Sequence, residues 1–523
     1  MATYHMRADG TATSLVAADG TGGTSTFLSV TGHNSYSSGA SASDIFELHD
    51  DAGAFRGVEL SPGASGSTGE GNEITYIATT GDTPVIAGSE VVTGWTDYAP
   101  GAGSTWQAAV TTNDPRQVFM DDVRLTEGAS ATTLTDLEWF WSSNVLYVRR
   151  DAGDPSGTVT IEAGTYFGYL MQLTGDSYLT FDGLTFKHGS SLQGGVLGNG
   201  GSGNIEFVNC NFRQAYMQEL KYYDVSTDGD AWEIHDCYFF DCGGTSVAPQ
   251  EHSTNWHIHH NEFDSCCNLH EIAGHQYTSA IRFTGDSSVG HIIEYNSIHA
   301  DTLGYVGGGT DAGGGIWLDE MTDTDTGCII RYNLIRDLAY EGIRVELCDG
   351  AQVYYNVVAN CTKYSIGGEG GISIARNVSN NEVYNNTVYG CARGICCFGD
   401  GVAVNVTGNI FKNNIATGNS VRELSIWAGG DNDDVGGSGN VYEYNCFGAE
   451  ATGFVNVGDA GGALNTYAAL ESWYGSVMNN TESEPDFVAA GSNDFRLNST
   501  SPCIDTGVDV GLTSDFAGRT VPG

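Results

Sequence analysis

The 523-residue sequence is poor in basic residues and has no long apolar run. Lysine and arginine together number 20 against 65 aspartates and glutamates, so the formal net charge is −45. Such a surface repels phosphate backbones and anionic lipids, so neither nucleic acid nor a membrane is expected as a partner. No stretch of 18 or more apolar residues occurs, and no membrane-spanning helix is therefore expected.

The first ten residues, MATYHMRADG, have neither the basic region nor the apolar stretch of a signal peptide. The location is therefore unknown. The protein would be cytoplasmic as it stands, or secreted or virion-associated if a leader is missing. Only 9 prolines accompany 73 glycines, which excludes a collagen or proline-rich linker composition and favours many tight turns between short strands.

Seven short segments repeat along the chain, and six of them carry asparagine at their sixth position. These positions are Cys237, Asn261, Asn296, Asn333, Asn356, Asn386 and Asn409. The shortest interval, from Asn333 to Asn356, is 23 residues, which predicts a bare coil of that length with loops inserted elsewhere. Asparagine suits a fixed turn because it tolerates left-handed geometry and its amide can bond the next coil. The repeat predicts an all-β, right-handed single-stranded parallel β-helix.

The 13 cysteines contain no CxxC pair. Four of them lie five residues after a repeat position: Cys242, Cys266, Cys361 and Cys391. A column that follows the repeat favours small buried thiols in the core over disulfides or zinc ligands.

Four regions are expected along the chain. Residues 1–94 form an N-terminal cap and the first coils, and residues 95–160 form an inserted β-sandwich-like module rich in aromatic residues. Residues 161–460 form the main β-helix with a cleft, and residues 461–523 form the last coil and its cap.

A second set of strands recurs between the first: 279–284, 314–319, 341–346, 370–375 and 393–398. In each, an isoleucine and the residue two places later are expected to face inward because side chains alternate along a strand. The intervening positions form two outward columns. The first column contains Arg282, Trp317, Arg344, Ser373 and Cys396. The second contains Thr284, Asp319, Glu346, Ala375 and Phe398.

Asp319 and Glu346 occupy one outward column on consecutive coils. Neighbouring strands lie about 4.8 Å apart, close to the ~5–5.5 Å that separates the carboxyl groups of retaining glycosidases and shorter than the ~6.5–9.5 Å of inverting ones. Two close carboxylates repel, which raises the pKa of one of them. The competing interpretation is that stacked acidic residues only face solvent or bind Ca²⁺, which would be a structural or substrate-bridging ion; no cofactor is expected to be required.

The surroundings of this pair indicate a cleft. Trp317 is interpreted as a stacking platform for a sugar, and Arg344 and Arg282 as substrate-binding cations beside the carboxylates. Two insertions, residues 269–279 and 300–314, would stand side by side as its walls. They carry three further candidate substrate-binding residues: Glu271, His275 and Asp311.

The segments GGGIWLDEM (313–321) and GIRVELCDG (342–350) resemble the active-site pair of glycoside hydrolase family 120, the β-helix β-xylosidases. The resemblance implies that Asp319 is the nucleophile and Glu346 the acid/base. The aromatic module also resembles that family's inserted β-sandwich. The sequence departs from the family at Glu320, where an aromatic residue is expected, and around Cys348–Gly350, where the family has an Asn-His pair. These differences bear on the substrate more than on the reaction class.

The expected function is retaining hydrolysis of a neutral glycan such as a xylo-oligosaccharide. Two alternatives stay open, a Ca²⁺-dependent polysaccharide lyase and a tailspike-like glycan-binding or depolymerase protein, because one fold carries many activities. The oligomeric state is open. The run His257, His259 and His260 is interpreted as a surface histidine pair without a metal, since alternation places at most two of them on one face.

Overall fold

The computed structural model describes most of the chain. The described residues are 1–12, 14–15, 24–98, 104–269, 278–300, 312–321, 326–362, 370–399, 406–427, 438–451, 454–457, 462–474, 477–516 and 519–520. They form two compact units, residues 1–221 with 237–244 and residues 222–236 with 245–523. In the described ranges, no helix has the length and apolar character needed to cross a membrane.

The first unit is built on short parallel strands. One sheet contains Thr3–Met6, Ile45–Leu48, Ile74–Ala78, Ser177–Asp182 and Gly203–Val208, and a second contains Phe55–Arg56, Val85–Ala87, Thr185–Lys187, Asn211–Arg213 and Tyr238–Phe240. Met171–Thr174 pairs with Val196–Asn199. The boundary between the units falls within the strand Leu220–Tyr223.

Two further sheets, mainly antiparallel, lie in sequence between Ile74–Ala78 and Ser177–Asp182. One contains Glu90–Val92, Val118–Met120, Val123–Arg124 and Ile161–Ala163; the other contains Thr96–Asp97, Thr105–Ala109, Thr126–Glu127, Glu138–Ser142 and Val145–Arg149. A single hydrophobic cluster holds residues of both sheets, including Val118, Ile161, Trp139 and Leu146. Most of these strands lie within residues 95–160, the region predicted as an inserted module; the bounds of the four predicted regions stay predictions.

The second unit consists mainly of three parallel sheets, named here sheets A, B and C. Sheet A contains Glu233–His235, His257–His259, Ile292–Glu294, Ile329–Arg331, Gln352–Tyr354, Glu382–Tyr384, Ile410–Lys412, Val441–Glu443 and Val477–Met478. Sheet B contains Glu262–Asp264, Ser297–His299, Leu334–Arg336, Val357–Ala359, Thr387–Tyr389 and Ile415–Thr417. Sheet C contains Val247–Gln250, Thr278–Thr284, Ala312–Asp319, Ile343–Glu346, Ile372–Ala375, Arg393–Phe398, Arg422–Trp427, Val455–Val457 and, antiparallel, Gly462–Leu464.

The remaining elements are short. Strand pairs join Gly229–Asp230 to Ser253–Thr254, Val378–Ser379 to Val406–Thr407 and Phe487–Ala489 to Asp494–Leu497. The described α-helices are Val30–Tyr36, capped by Ser29, and Tyr467–Trp473, capped by Thr466, and the 3₁₀ turns are Thr24–Thr26, Ser37–Gly39 and Ala490–Ser492. The long parallel sheets and the order of A, B and C strands in each coil confirm the predicted β-helix.

A buried ladder of asparagines closes the turn between sheets A and B. The side-chain amide of Asn296 donates to Asn333 Oδ1, and that of Asn333 donates to Asn356 Oδ1, each at 3.0 Å. The predicted bonding from coil to coil is thus confirmed. The left-handed residue, however, is the one before the asparagine, such as Tyr332 at φ 57°.

The ladder corrects one predicted repeat position. Asn386 donates to Asn414 and not to Asn409, because strand Ile410–Lys412 pairs with Glu382–Tyr384. Asn409 belongs to a second ladder, in which it accepts from Asn381 and donates to Asn440. Two asparagines five residues apart therefore serve two different turns of one coil.

The 13 cysteines, all within the described residues, form no disulfide, and all except Cys266 and Cys503 are buried. Three members of the predicted column, Cys242, Cys361 and Cys391, are therefore core thiols, while the fourth, Cys266, is only partly buried. The inward isoleucines of sheet C, such as Ile316 and Ile343, are also buried.

We expect Asn333→Ala to lower the free energy of unfolding by about 2–4 kcal/mol, because it removes a fully buried amide and leaves buried partners without their hydrogen bonds. Those partners include the Ile293 carbonyl and the Asn296 amide. Urea unfolding followed by circular dichroism measures the change. Asn72→Ala, which loses one bond to the Thr68 carbonyl near the surface, is the control and should change stability by less than about 0.5 kcal/mol. Equal losses in the two variants would show that the ladder does not stabilise the stack.

Candidate active site

The strand register of sheet C brings the two predicted carboxylates together. Asp319 pairs directly with Glu346, and Trp317 pairs with Arg344 on the same two strands. Arg282 lies opposite Trp317 on the preceding strand. The predicted columns are therefore confirmed, and adjacent members of a column are separated by one strand spacing, about 4.8 Å.

Asp319 ends its strand and is bound by Arg282 from the preceding coil. Nε of Arg282 donates to Oδ2 of Asp319 at 3.1 Å, and a second guanidinium nitrogen contacts the same oxygen. Asp319 is only 5% exposed. Its charge is thus held in a largely dry site by one neighbouring cation.

Glu346 is completely buried between two guanidinium groups. Nε of Arg344 lies 2.5 Å from its Oε2, and Nη1 of Arg376 lies 2.5 Å from its Oε1. Burial is the largest influence on the pKa of Glu346 and raises it; Arg344 and Arg376 lower it, and the Asp319 carboxylate raises it. The net result is a pKa above the ordinary value, because the desolvation of a carboxylate outweighs its cationic neighbours here.

Arg344 is the buried cation shared by two carboxylates. Its Nη1 donates to Oε2 of Glu341 at 3.0 Å while its Nε faces Glu346. Burial alone would lower the pKa of Arg344, but the charges of Glu341 and Glu346 raise it above its usual range. The guanidinium therefore stays protonated.

Glu341 and Arg376 belong to the site but were not predicted. Glu341 lies at the start of the same EGIRVE segment, three residues before Arg344, and that spacing is its only sequence signal. Arg376 follows strand Ile372–Ala375 in a left-handed turn, as Glu320 and Leu347 follow the two preceding strands. The recurrence of this turn could have marked Arg376 as a neighbour of the outward column.

The indole ring of Trp317 lies between two guanidinium groups. Arg282 Cζ is 4.6 Å and Arg344 Cζ is 4.9 Å from the ring centroid, and these arginines belong to the strands on either side. Trp317 is only 5% exposed. The ring is thus buried against two guanidinium groups, and its role as a stacking platform for a sugar stays a prediction.

Three predicted cleft residues, Glu271, His275 and Asp311, lie outside the described residues, as does most of the two predicted loops. Away from the carboxylates, the outward column of sheet C becomes apolar and buried. Ala375, Cys396 and Phe398 form a small hydrophobic cluster on the following coils. In the two columns, the charged side chains named here therefore lie on the coils of Arg282, Trp317 and Arg344.

Comparison with solved structures finds the same fold. A structure described as XylC in complex with xylose matches with a TM-score of 0.59 and 14% identity, covering 86% of this chain and 83% of that chain. A structure described as a glycoside hydrolase matches with a TM-score of 0.52 and 11% identity, covering 85% and 96%. These likenesses show the fold, and the chain is a parallel β-helix protein.

Comparison with sequence families gives a partial match. The model for NosD, described as a periplasmic copper-binding protein, matches residues 310–444, which include both carboxylates of the site. No curated protein sequence matches the chain at a significant level. The match covers a minor part of the chain.

We expect Arg344→Leu to destabilise the protein by about 3–5 kcal/mol, because it leaves the buried carboxylates of Glu341 and Glu346 without their shared cation. Arg376→Leu is the matched control, since Arg376 contacts the same carboxylate at the same distance but has a side chain 42% exposed. Its cost should stay below about 1 kcal/mol. Urea unfolding midpoints compare the two variants, and similar midpoints would contradict the central role given to Arg344.

Proposed function

We propose that this protein is a carbohydrate-active enzyme, a retaining glycoside hydrolase with Asp319 as nucleophile and Glu346 as acid/base. The observation that carries the proposal is the direct pairing of Asp319 with Glu346 on neighbouring parallel strands. One strand spacing, about 4.8 Å, suits a direct attack by one carboxylate and leaves no room for the water that an inverting enzyme places between the two.

The environments of the two carboxylates support different roles. Asp319 accepts a hydrogen bond from Arg282, which holds its carboxylate in place for a direct attack. Glu346 has a raised pKa because it is buried, and this favours the protonated form that a general acid needs. A proton donor beside a second carboxylate is the pair of groups that a retaining hydrolase needs.

The reaction follows from these roles in two steps. Asp319 attacks the anomeric carbon and forms a glycosyl ester while the glycosidic C–O bond breaks and Glu346 gives its proton to the leaving oxygen. Glu346, now ionised, then takes a proton from a water that attacks the same carbon. The C–O bond to Asp319 breaks, and the sugar leaves with its anomeric configuration retained.

The proposed substrate is a xylo-oligosaccharide or a related neutral glycan. Support comes from the family 120 resemblance around Asp319 and Glu346 and from the fold shared with a protein whose structure contains xylose. No cofactor is required for this chemistry. The strongly negative net charge also disfavours a polyanionic glycan.

A lyase mechanism fits these residues less well. An arginine acting as a base must lose its proton, but Arg344 is held as a cation by two carboxylates, and Arg282 is paired with Asp319. The carboxylates, in turn, are occupied by guanidinium groups that a Ca²⁺ ion would have to displace. A hydrolase is therefore favoured.

We expect Asp319→Asn to reduce kcat on xylo-oligosaccharides by more than about 10³-fold, since it removes the attacking group. Glu346→Gln should lose about 10²–10⁴-fold on the same substrates. On aryl glycosides with acidic leaving groups, it should form the glycosyl-enzyme at nearly the normal rate, because such leaving groups need no proton. Product release and pre-steady-state bursts measure both effects.

Glu443→Gln, which alters an ion-paired carboxylate on sheet A, is the control for these variants and should keep full activity. Full activity of Asp319→Asn would overturn the assignment. Unsaturated products that absorb in the near ultraviolet, lost on addition of a chelator, would indicate the lyase instead. Glycan binding without turnover, unchanged by both substitutions, would indicate a binding protein.

We expect the pH profile of kcat/KM to fall on its alkaline side as Glu346 loses its proton, with an apparent pKa above the ordinary carboxyl range. Because the Arg376 cation lowers the pKa of Glu346, Arg376→Gln should move this alkaline limb to higher pH. The measurement is kcat/KM from pH 4 to 9. An alkaline limb that moves to lower pH, or stays in place, would contradict Glu346 as the acid.

A further inference from the structure

A cluster of imidazole and carboxylate groups lies on sheet A of the second unit. Glu233 and the two histidines His257 and His259 come from paired strands of consecutive coils. Oε1 of Glu233 is 3.0 Å from Nε2 of His259 and 3.8 Å from Nδ1 of His257. The two imidazole rings lie 4.0 Å apart on the same face of the sheet.

These separations match those of metal ligands. Ligand atoms held about 2.0–2.1 Å from a tetrahedral ion lie roughly 3.3 Å from one another. The observed separations of 3.0 and 3.8 Å bracket that value. One ligand atom from each of the three residues lies within 4.8 Å of the others.

A second carboxylate orients the first histidine. Oε1 of Glu294, on the next coil, is 2.9 Å from Nε2 of His257, and its Oε2 is 2.5 Å from Nε of Arg331. When Nε2–H donates to this carboxylate, Nδ1, the nitrogen nearer Glu233, is left available to a metal ion. A carboxylate bonded to the far nitrogen of a ligating histidine is the usual outer support of protein metal sites.

We propose that Glu233, His257 and His259 bind a divalent transition-metal ion of the class that prefers imidazole, such as Zn²⁺, with solvent completing its coordination. The sequence interpretation recognised two histidines on one face but not the carboxylate that the neighbouring coil supplies. The cluster lies outside the residues that match the NosD model, so the proposal rests on the cluster alone.

Two carboxylates lie at the cluster and can balance the charge of a cation. Glu233 contacts both histidines, and Glu294 reaches His257 from the next coil. An ion bound here would join two coils directly and a third through Glu294.

Among the described residues, two similar groupings occur in the first unit. Asp122, Glu162 and His188 already hold a cation, since the Lys187 ammonium lies 2.9 Å from Asp122 and 3.1 Å from Glu162. His5, Glu47 and His49 form a second candidate cluster, in which the two imidazoles bond each other at 3.0 Å. The experiment therefore uses the full chain with His5→Gln/His49→Gln as its background, so that this second cluster adds no binding.

The test is titration of this background with Zn²⁺ by calorimetry after chelator treatment and dialysis, with Co²⁺ absorption as a report on coordination. We expect one bound equivalent, lost when His257→Gln/His259→Gln is added. Glu294→Gln should keep the equivalent but weaken it about 10–100-fold. His252→Gln, which alters a partly exposed histidine paired with Asp228, is the control and should bind as the background does.

Zn²⁺ should also raise the melting temperature of the background protein but not that of the variant lacking His257 and His259. The proposal is overturned if removing both histidines leaves the stoichiometry and affinity unchanged. It is also overturned if Glu294→Gln binds as tightly as the background, because that result describes adventitious binding to surface histidines and not a built site. Circular dichroism checks that each variant is folded.

Discussion

Hydrogen bonding from each coil to the next is the constraint on which the rest of this structure depends. The strands of a coil are mostly three to six residues long, too short to be stable alone, and they gain stability by pairing with the coils before and after. At the turn between sheets A and B, the buried asparagines extend that pairing through their side chains. Each coil is therefore fixed in register by its strands and again by the asparagine turn between sheets A and B. Side chains on an outward face are consequently held opposite fixed positions of the next coil.

The same register concentrates charge in the site. Asp319, Glu341 and Glu346 are matched by Arg282, Arg344 and Arg376, and most of these groups are buried. Buried charges are costly to desolvate and are tolerated only when they are closely paired. Trp317 lies between Arg282 and Arg344; Arg282 contacts Asp319, and Arg344 is shared by Glu341 and Glu346. Among the described residues, Asp319 has one cationic partner and Glu346 has two, and burial still raises the pKa of Glu346.

Much of the fold was predictable because one residue type recurs at one turn. The columns through Ile316 and Ile343 follow from period-two alternation, and they place Asp319 opposite Glu346 without any structural information. The wrong assignment of Asn409 to the ladder between sheets A and B arises because asparagine also recurs at a second turn. Each coil there carries two asparagines five residues apart, and aligning identical residues does not distinguish the two turns.

The site was predictable as a column but not as a set of contacts. Alternation gives the face on which Trp317 lies, but whether its ring meets a sugar or a guanidinium depends on rotamers and on the neighbouring coils. Arg376 was missed because its side chain returns to Glu346 from a turn, outside the strand pattern. Glu233 joins His257 and His259 from another coil, so a search along the HIHH motif does not find it.

The pairing of Asp319 with Glu346 is a property of the backbone and not of the loops. Insertions before the sheet C strands can lengthen, shorten or be exchanged between relatives while Asp319 and Glu346 stay one rung apart. Under the proposed mechanism, the loops would decide which sugar binds, while the pairing of the two strands would decide the stereochemical outcome. Only the gain or loss of a whole coil between these two strands would alter it.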